Sequence, residues 1–558
     1  MSIRLIDCLL PCLILSLSAC NQARDGGDAR APRVPLSAAV ETAADGITAG
    51  FIKEMVETLA SDRMEGRDPG TRGDRSARLA LTEELRELGL EPGAPGGAWE
   101  QPFPIVGLSA ALPEQWSFAG ADGQELAFEW WDEYVAGSGV QRPAVAIEDS
   151  EVVFVGYGID APEEEWDDFK GANLKGKILL MLNNDPDWDP ELFGGVRRLY
   201  YGRWTYKYES AASQGAAGAI IIHTTPSAGY PWQVVQTSWS GEQFELPAGG
   251  EPRVGIQAWL TDEAAGRLVK MAGRDLDDLV AAARRRDFRP VPLGITTSIR
   301  FTTKVSRTET ANVAGLLRGS DPELRNEVVI FSAHHDHLGI GKPDSTGDKI
   351  YNGALDNGVA MAQALAVARA MMALPEPPRR SVLFLFVGGE EQGLLGSRYF
   401  AAHPTSPREK IAANINFELG NIWGRTRDVA IFGRGKSTLE DILESVAARQ
   451  GRVVVGEASP DAGWYYRSDQ FSFARIGVPA IWFRSGTDVI GRPAGWGQER
   501  MLEWISQRYH QPCDELDETW DFEGLVEDAR LAFFLGLEVA GANEPPGWYP
   551  GDEFEDVR

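Results

Sequence analysis

Residues 381–397 read SVLFLFVGGEEQGLLGS. An apolar run opens onto Gly388 and Gly389, then onto two adjacent carboxylates, Glu390 and Glu391. The run reads as a buried strand, and the segment beyond the acids, GLLGSRYFAA, as the start of a helix. An isolated Glu-Glu pair at such a junction is ordinarily a solvated turn. The rest of the chain gives this pair another meaning.

Working outward, the same alternation recurs. EVVIFSA (327–333) is a strand candidate, 357–374 a helix, and KIAANINF (410–417) a strand. STLEDILESVAARQG (437–451) is a helix closing at Gly451, and VPAIWF (478–483) is another strand. Near-continuous apolar strands alternating with helices predict an α/β fold: a mainly parallel mixed sheet with helices on both faces. In such sheets ligands gather beyond the strand C-termini. Residues 47–90 are helical in pattern. Across roughly 130–295 short β-like runs alternate with Trp-, Gly- and Pro-rich loops, which predicts an inserted β-rich domain. No internal repeat is present.

The polar residues at these strand ends form a series. His334-His335-Asp336-His337 follows VVIFSA, and these are three of only six histidines in the chain. YNGALDNG places Asp356 at a helix entry, Glu418 ends NINFE, and RYHQPCDE carries Tyr509 and His510. Singly, each has an ordinary explanation: Asp356 as a helix N-cap, His510 as a surface histidine, Glu418 as a strand-end acid. Jointly, imidazoles and carboxylates at every one of these positions suit a divalent metal. Nitrogen and carboxylate oxygen fit Zn²⁺. Two His with three or four carboxylates exceed one tetrahedral ion and suit two, bridged by a carboxylate.

The 558 residues suggest several domains, and 43% hydrophobic content marks a globular chain. With 82 acidic against 54 basic residues the net charge is −28, a field that repels nucleic acid and anionic lipid. It attracts cationic ligands, peptide amino termini among them. Residues 1–20 read as a secretory signal whose end, Leu17-Ser18-Ala19-Cys20, resembles a bacterial lipobox. That predicts an exported chain, tethered to a membrane only through lipid on Cys20, periplasmic-facing or at the cell surface. Cys8 and Cys12 leave with the signal, so Cys513 remains alone and no internal disulfide forms.

The series AHHDHLG, GALDNG, GGEEQGLLGSRYF, NINFELGN and YHQPCD resembles the M28 metallopeptidases, co-catalytic zinc aminopeptidases and carboxypeptidases. The resemblance covers about 300–540 strongly and 47–105 more weakly, and the middle region resembles the protease-associated domain inserted in such enzymes. It implies a division into signal (1–20), linker (21–45), N-terminal peptidase part (46–130), inserted domain (131–298), catalytic domain (299–545) and acidic tail (546–558). It further implies that His334 and Glu418 hold one zinc, Glu391 and His510 the other, and that Asp356 bridges them. Asp336 would hydrogen-bond the His334 imidazole, Glu390 would be the general base, and Tyr509 would donate to the oxyanion. His335 and His337 are expected to be structural or to support the ligands. The chain departs from the family in having Glu418 where Asp is commoner, and Gln470 after Ser468-Asp469 where relatives often have His.

The function implied is zinc-dependent exopeptidase action on peptides, with release of N-terminal residues favoured. Carboxypeptidase or glutaminyl-cyclase-like chemistry would use the same site. A peptidase fold without activity, of the transferrin-receptor type, would have lost ligands, and here every metal position holds a competent one.

Overall fold

The computed structural model describes residues 37–557. The signal segment, Cys20 and linker residues 21–36 lie outside the described residues. The rest of the expected linker is not extended: Ala38–Asp45 is a helix, N-capped by the Ser37 hydroxyl. Its alanine-rich sequence favours helix, and Ala43 and Ala44 are buried in the main core.

Eight strands of a larger continuous sheet carry or flank the strand-end residues: β1 (Glu100–Ala111), β2 (Val291–Leu317), β3 (Val328–His334), β4 (Ser381–Val387), β5 (Ile411–Asn416), β6 (Asp428–Phe432), β7 (Val453–Gly456) and β8 (Ala480–Ser485). Their spatial order is β1-β2-β4-β3-β5-β8-β6-β7. The central β4, β3, β5 and β8 are mutually parallel, whereas β1, β2 and β6 join antiparallel. Every residue of β3, β4 and β5 is buried, as strands covered on both faces must be.

Helix Val359–Met372 lies against this sheet. Its sequence VAMAQALAVARAMM is apolar almost all round, because Ala49–Leu59 and Glu523–Gly541 cover it from the other side. Each large apolar side chain so buried contributes about 1.5–3 kcal/mol. Packing of Glu523–Gly541 on the sheet depends on Gly536, where a Cβ would fall 2.3 Å from Phe331 Cζ. Alanine there would push the helix off β3.

The inserted unit has a separate core but not the expected start. The hairpin Gln115–Gly120 with Glu125–Glu129 precedes residue 131, yet its inward Trp116, Phe118 and Phe128 belong to the inserted unit's core. Nor is the unit purely β-rich. Parallel strands Ala144–Phe154, Ile178–Leu182, Gly218–His223 and Ile256–Thr261 alternate with helices Trp204–Ser213, Asp262–Met271 and Leu276–Ala283. The two units share one strand. The 27-residue β2 pairs at its start with Gln115–Gly120 and Ala144–Phe154, and at its end with β1 and β4. The expected acidic tail also docks: Phe554 is buried beside Tyr465, Tyr466 and Phe471, and the Lys436 ammonium reaches Glu553 at 2.7 Å.

Candidate metal centre

The chain leaves β3 for β4 on one side and reaches β5 on the other. This reversal opens a crevice at the C-terminal end of β3, and His334 is the last residue of that strand. Gly389, at φ +79°, turns the chain off β4 and delivers Glu390 and Glu391 to the crevice. Glu418 follows β5, Asp356 sits in the turn Ala354–Gly358 before helix Val359–Met372, and His510 lies in the loop after helix Trp496–Gln507.

The structure brings all five expected ligands together. Asp356 lies between two imidazoles, with Oδ1 3.3 Å from His334 Nε2 and Oδ2 3.3 Å from His510 Nε2. Glu418 Oε1 stands 3.4 Å from His334 Nε2, and Glu391 Oε2 3.0 Å from His510 Nε2. Glu390 Oε2 is 4.0 Å from His334 Nε2, farther off than either carboxylate that brackets that ring. His337 stands beside a ligand carboxylate. Its Nδ1 is 2.7 Å from Glu391 Oε1, and with Asp356 and Glu391 it forms a group able to hold an ion.

Ring tautomers follow from the partners. The His334 Nδ1 neighbour at 3.2 Å is the Asp336 carbonyl oxygen, which only accepts, so Nδ1–H donates and Nε2 keeps its lone pair. This adjusts the expected role of Asp336. Its carboxylate lies 3.6 Å from that nitrogen and instead accepts the Glu390 amide (3.0 Å) and the Glu391 amide (3.2 Å). The Nε2 atoms of His334, His337 and His510 are buried and without a hydrogen-bond partner. The Nε2 atoms of His334 and His510 converge on carboxylates, a nitrogen and oxygen donor set that fits a borderline cation such as Zn²⁺.

Several supporting residues are not evident in the sequence. Arg67, fully buried, donates to the carbonyls of His335 (2.7 Å), Asn352 (2.6 Å), Gly353 (3.0 Å) and Leu59 (2.8 Å). It thereby ties the His334–His337 turn to the segment leading into Asp356. Asp514 accepts from the amides of Leu355 (3.2 Å) and Asp356 (3.1 Å). Ser468 donates to Glu418 Oε2 at 2.7 Å. His335 turns away from the cluster to Asp74 at 3.1 Å and serves the fold. From the inserted unit, the Ser238 hydroxyl meets His510 Nδ1 at 2.7 Å.

The electrostatics show an excess of buried negative charge. Burial opposes ionisation of Asp356, yet His334 and His510 outweigh it and hold the carboxyl far below the usual range. Burial likewise opposes a charged His510, but Glu391 and Asp356 raise it to about 10. Glu390 is pushed well above the ordinary carboxyl range, first by burial and then by Glu418, Glu391 and Asp469. Asp469, buried with both oxygens unpartnered, is pushed up to about 7, chiefly by burial. Protons on the imidazoles and divalent cations compete to neutralise such a cluster.

Above it opens a cavity of about 560 Å³ lined from both units, with Glu390, Glu391, Tyr509 and His510 at its base. Tyr509 is half-buried against the His510 ring, centroids 3.9 Å apart. Burial, then Asp356, Glu391 and Glu390, pushes its phenol well up, so it holds its proton at neutral pH.

Known proteins resemble this chain in sequence and fold. Residues 312–533 match the model of Peptidase family M28. Leupeptin-inactivating enzyme 1 of Streptomyces exfoliatus is 26% identical over 258 residues, 46% of this chain and 54% of that protein. The match thus spans about half the length of that relative. Aminopeptidase YwaD of Bacillus subtilis is 24% identical over 387 residues, 68% of this chain and 71% of the relative. Among solved structures, the aminopeptidase from Aneurinibacillus sp. strain AM-1 has a TM-score of 0.54 at 19% identity, covering 91% of this chain and 97% of that one. Its fold is shared across both units. Residues 312–533, from the end of β2 into helix Glu523–Gly541, match Peptidase family M28 and carry His334, Asp356, Glu390, Glu391, Glu418 and His510.

Proposed function

We propose that this chain is a zinc-dependent exopeptidase, an aminopeptidase that releases N-terminal residues from peptides. The observation that carries the reading is Asp356, which offers one oxygen toward His334 and Glu418 and the other toward His510 and Glu391. That arrangement suits two ions sharing a carboxylate. Bound there, they would supply Lewis-acid activation of water and of the scissile carbonyl.

Glu390 serves as the base. Its carboxylate faces the cavity but stands back from the imidazole that the ligand carboxylates bracket. It takes the proton from the attacking water and returns it to the leaving amine. A raised affinity for protons suits a group that must hold one between two steps. Asp336 fixes the turn that aims Glu390 by accepting the two successive amides. Tyr509 keeps its phenolic proton and donates it to the developing oxyanion. The inserted unit, read as a protease-associated domain, narrows access to the cavity, and lipid on Cys20 tethers the enzyme.

A substrate panel tests the reading: free aminoacyl-anilides, their N-blocked forms and N-blocked peptides with free C-termini, each with and without chelator. Chelator-sensitive cleavage of the free-amine substrates is expected. Cleavage of N-blocked substrates alone would overturn the aminopeptidase assignment, and full activity in chelator would overturn the metal dependence. Recovery in the membrane fraction, abolished by Cys20→Ala, checks the tether.

A further inference from the structure

Four arginines line the cavity: Arg253 is paired with Glu245 and Glu251 and Arg398 is exposed, which leaves the guanidinium groups of Arg203 and Arg467, unused by the reaction as described. Arg203 comes from the inserted unit, just before helix Trp204–Ser213; Arg467 comes from the catalytic unit, next to the Ser468 that holds Glu418. Both line the cavity together with Glu390, Glu391, Tyr509 and His510.

Neither group is satisfied by the protein. Arg203 is 9% exposed and its Nε has no partner. Arg467 donates through Nη2 to the Ala228 carbonyl at 2.6 Å, but its Nε and Nη1 are unpartnered. Among the described residues, neither forms an ion pair with a carboxylate. Aromatic rings hold their planes: Arg467 Cζ lies 4.9 Å from the Trp464 centroid and 5.3 Å from that of Tyr230, and Arg203 Cζ lies 5.6 Å from that of Trp204. The two cations are close enough to oppose each other. Burial first, and Arg467 next, push Arg203 down to about 10.

Other acids along the cavity wall are already engaged. Glu209 accepts from Tyr200 at 2.8 Å, and Glu245 and Glu251 both pair with Arg253. Buried donors without acceptors cost free energy, and two like charges drawn together cost more unless an anion joins them. Guanidinium forks match the two oxygens of a carboxylate.

We propose that Arg203 and Arg467 form a carboxylate-binding subsite, so that the preferred substrates are short peptides presenting a carboxylate beyond the scissile bond. This specificity rests on the peptidase reading above. The carboxylate has two possible sources, the C-terminus of a di- or tripeptide or an acidic side chain. One residue spans at most about 3.6 Å of extended chain, so chain length governs whether a C-terminus reaches the pair.

The test compares four ligands on the zinc-loaded, full-length protein: the dipeptide Leu-Ala, its C-terminal amide, Leu-Asp amide, and N-acetylated Leu-Ala. Binding is read by calorimetry and hydrolysis by kcat/KM. The free dipeptide is expected to exceed its amide at least tenfold in both. In Arg203→Gln and in Arg467→Gln that ratio falls toward one, and Lys at either position restores part of it. Preference for Leu-Asp amide over Leu-Ala amide would assign the subsite to side chains; preference for free Leu-Ala over both amides assigns it to C-termini. Equal binding of Leu-Ala, its amide and Leu-Asp amide by the wild type, or an acid preference unchanged in both variants, overturns the subsite. Tight, acid-selective binding without hydrolysis would leave the subsite standing and overturn the peptidase reading instead. Hydrolysis of the acetylated dipeptide alone would keep the subsite and make the enzyme a carboxypeptidase.

Discussion

Glu390 and Glu391 share one turn and meet different neighbours. Glu391 reaches His337 at 2.7 Å and His510 at 3.0 Å, whereas Glu390 keeps 4.0 Å from His334 and faces the cavity. Replacing Glu390 by Gln preserves its shape and removes its basicity. The expected outcome is a loss of about 10²–10⁴-fold in kcat with the zinc content unchanged, measured by turnover beside elemental analysis. Near-wild-type turnover would assign the proton transfer elsewhere. These acids were legible because chemically distinct residue types stand at the ends of strands that the apolar runs mark plainly. Arg67 was not. In MEGRDPG it reads as a surface charge at a turn, and only the packed structure shows four carbonyls converging on its guanidinium. Nor does local sequence say which of three neighbouring imidazoles faces the cluster: His334 and His337 do, while His335 turns to Asp74.

Among the elements, β3, β4, β5, β8 and helix Val359–Met372 were legible from their apolar runs, each short and bounded by turn residues. The long strand β2 was not. Its first half alternates buried and exposed residues while its last third is almost wholly buried, so it carries the signature of two different sheets. The boundary of the inserted unit was missed because the Gln115–Glu129 hairpin looks the same whichever core receives Trp116, Phe118 and Phe128. The same unit supplies Ser238, from helix Trp232–Ser238, to His510. A hydroxyl that fixes a ligand imidazole typically alters metal affinity by about 10–100-fold when removed. Ser238→Ala is therefore expected to weaken zinc binding at least about tenfold, read by competition with a chromogenic chelator. Unchanged affinity would show that the ring is held by its other contacts alone.

For the molecule as a whole, net charge and metal chemistry act together. Asp336, Asp356, Glu390, Glu391, Glu418 and Asp469 converge in the crevice of a chain already at −28. A cation that binds only the folded state stabilises it by about 4 kcal/mol when present at 1,000 times its dissociation constant. Chelation is expected to lower the calorimetric Tm by several degrees and zinc to restore it; a Tm indifferent to both would mean the cluster folds equally well on protons. The continuous β2 adds a consequence for kinetics. Hinge motion needs a few residues free to rotate φ and ψ, and this strand pairs with both units along its course, with irregularities at Pro292–Thr296 and Thr297–Ile299. A strand shared in this way opposes a jaw-like swing of the two units. For the exopeptidase proposed above, a cavity mouth framed by two units tied through one strand would act as a fixed-mesh sieve, passing slim chain ends and turning away folded protein surfaces.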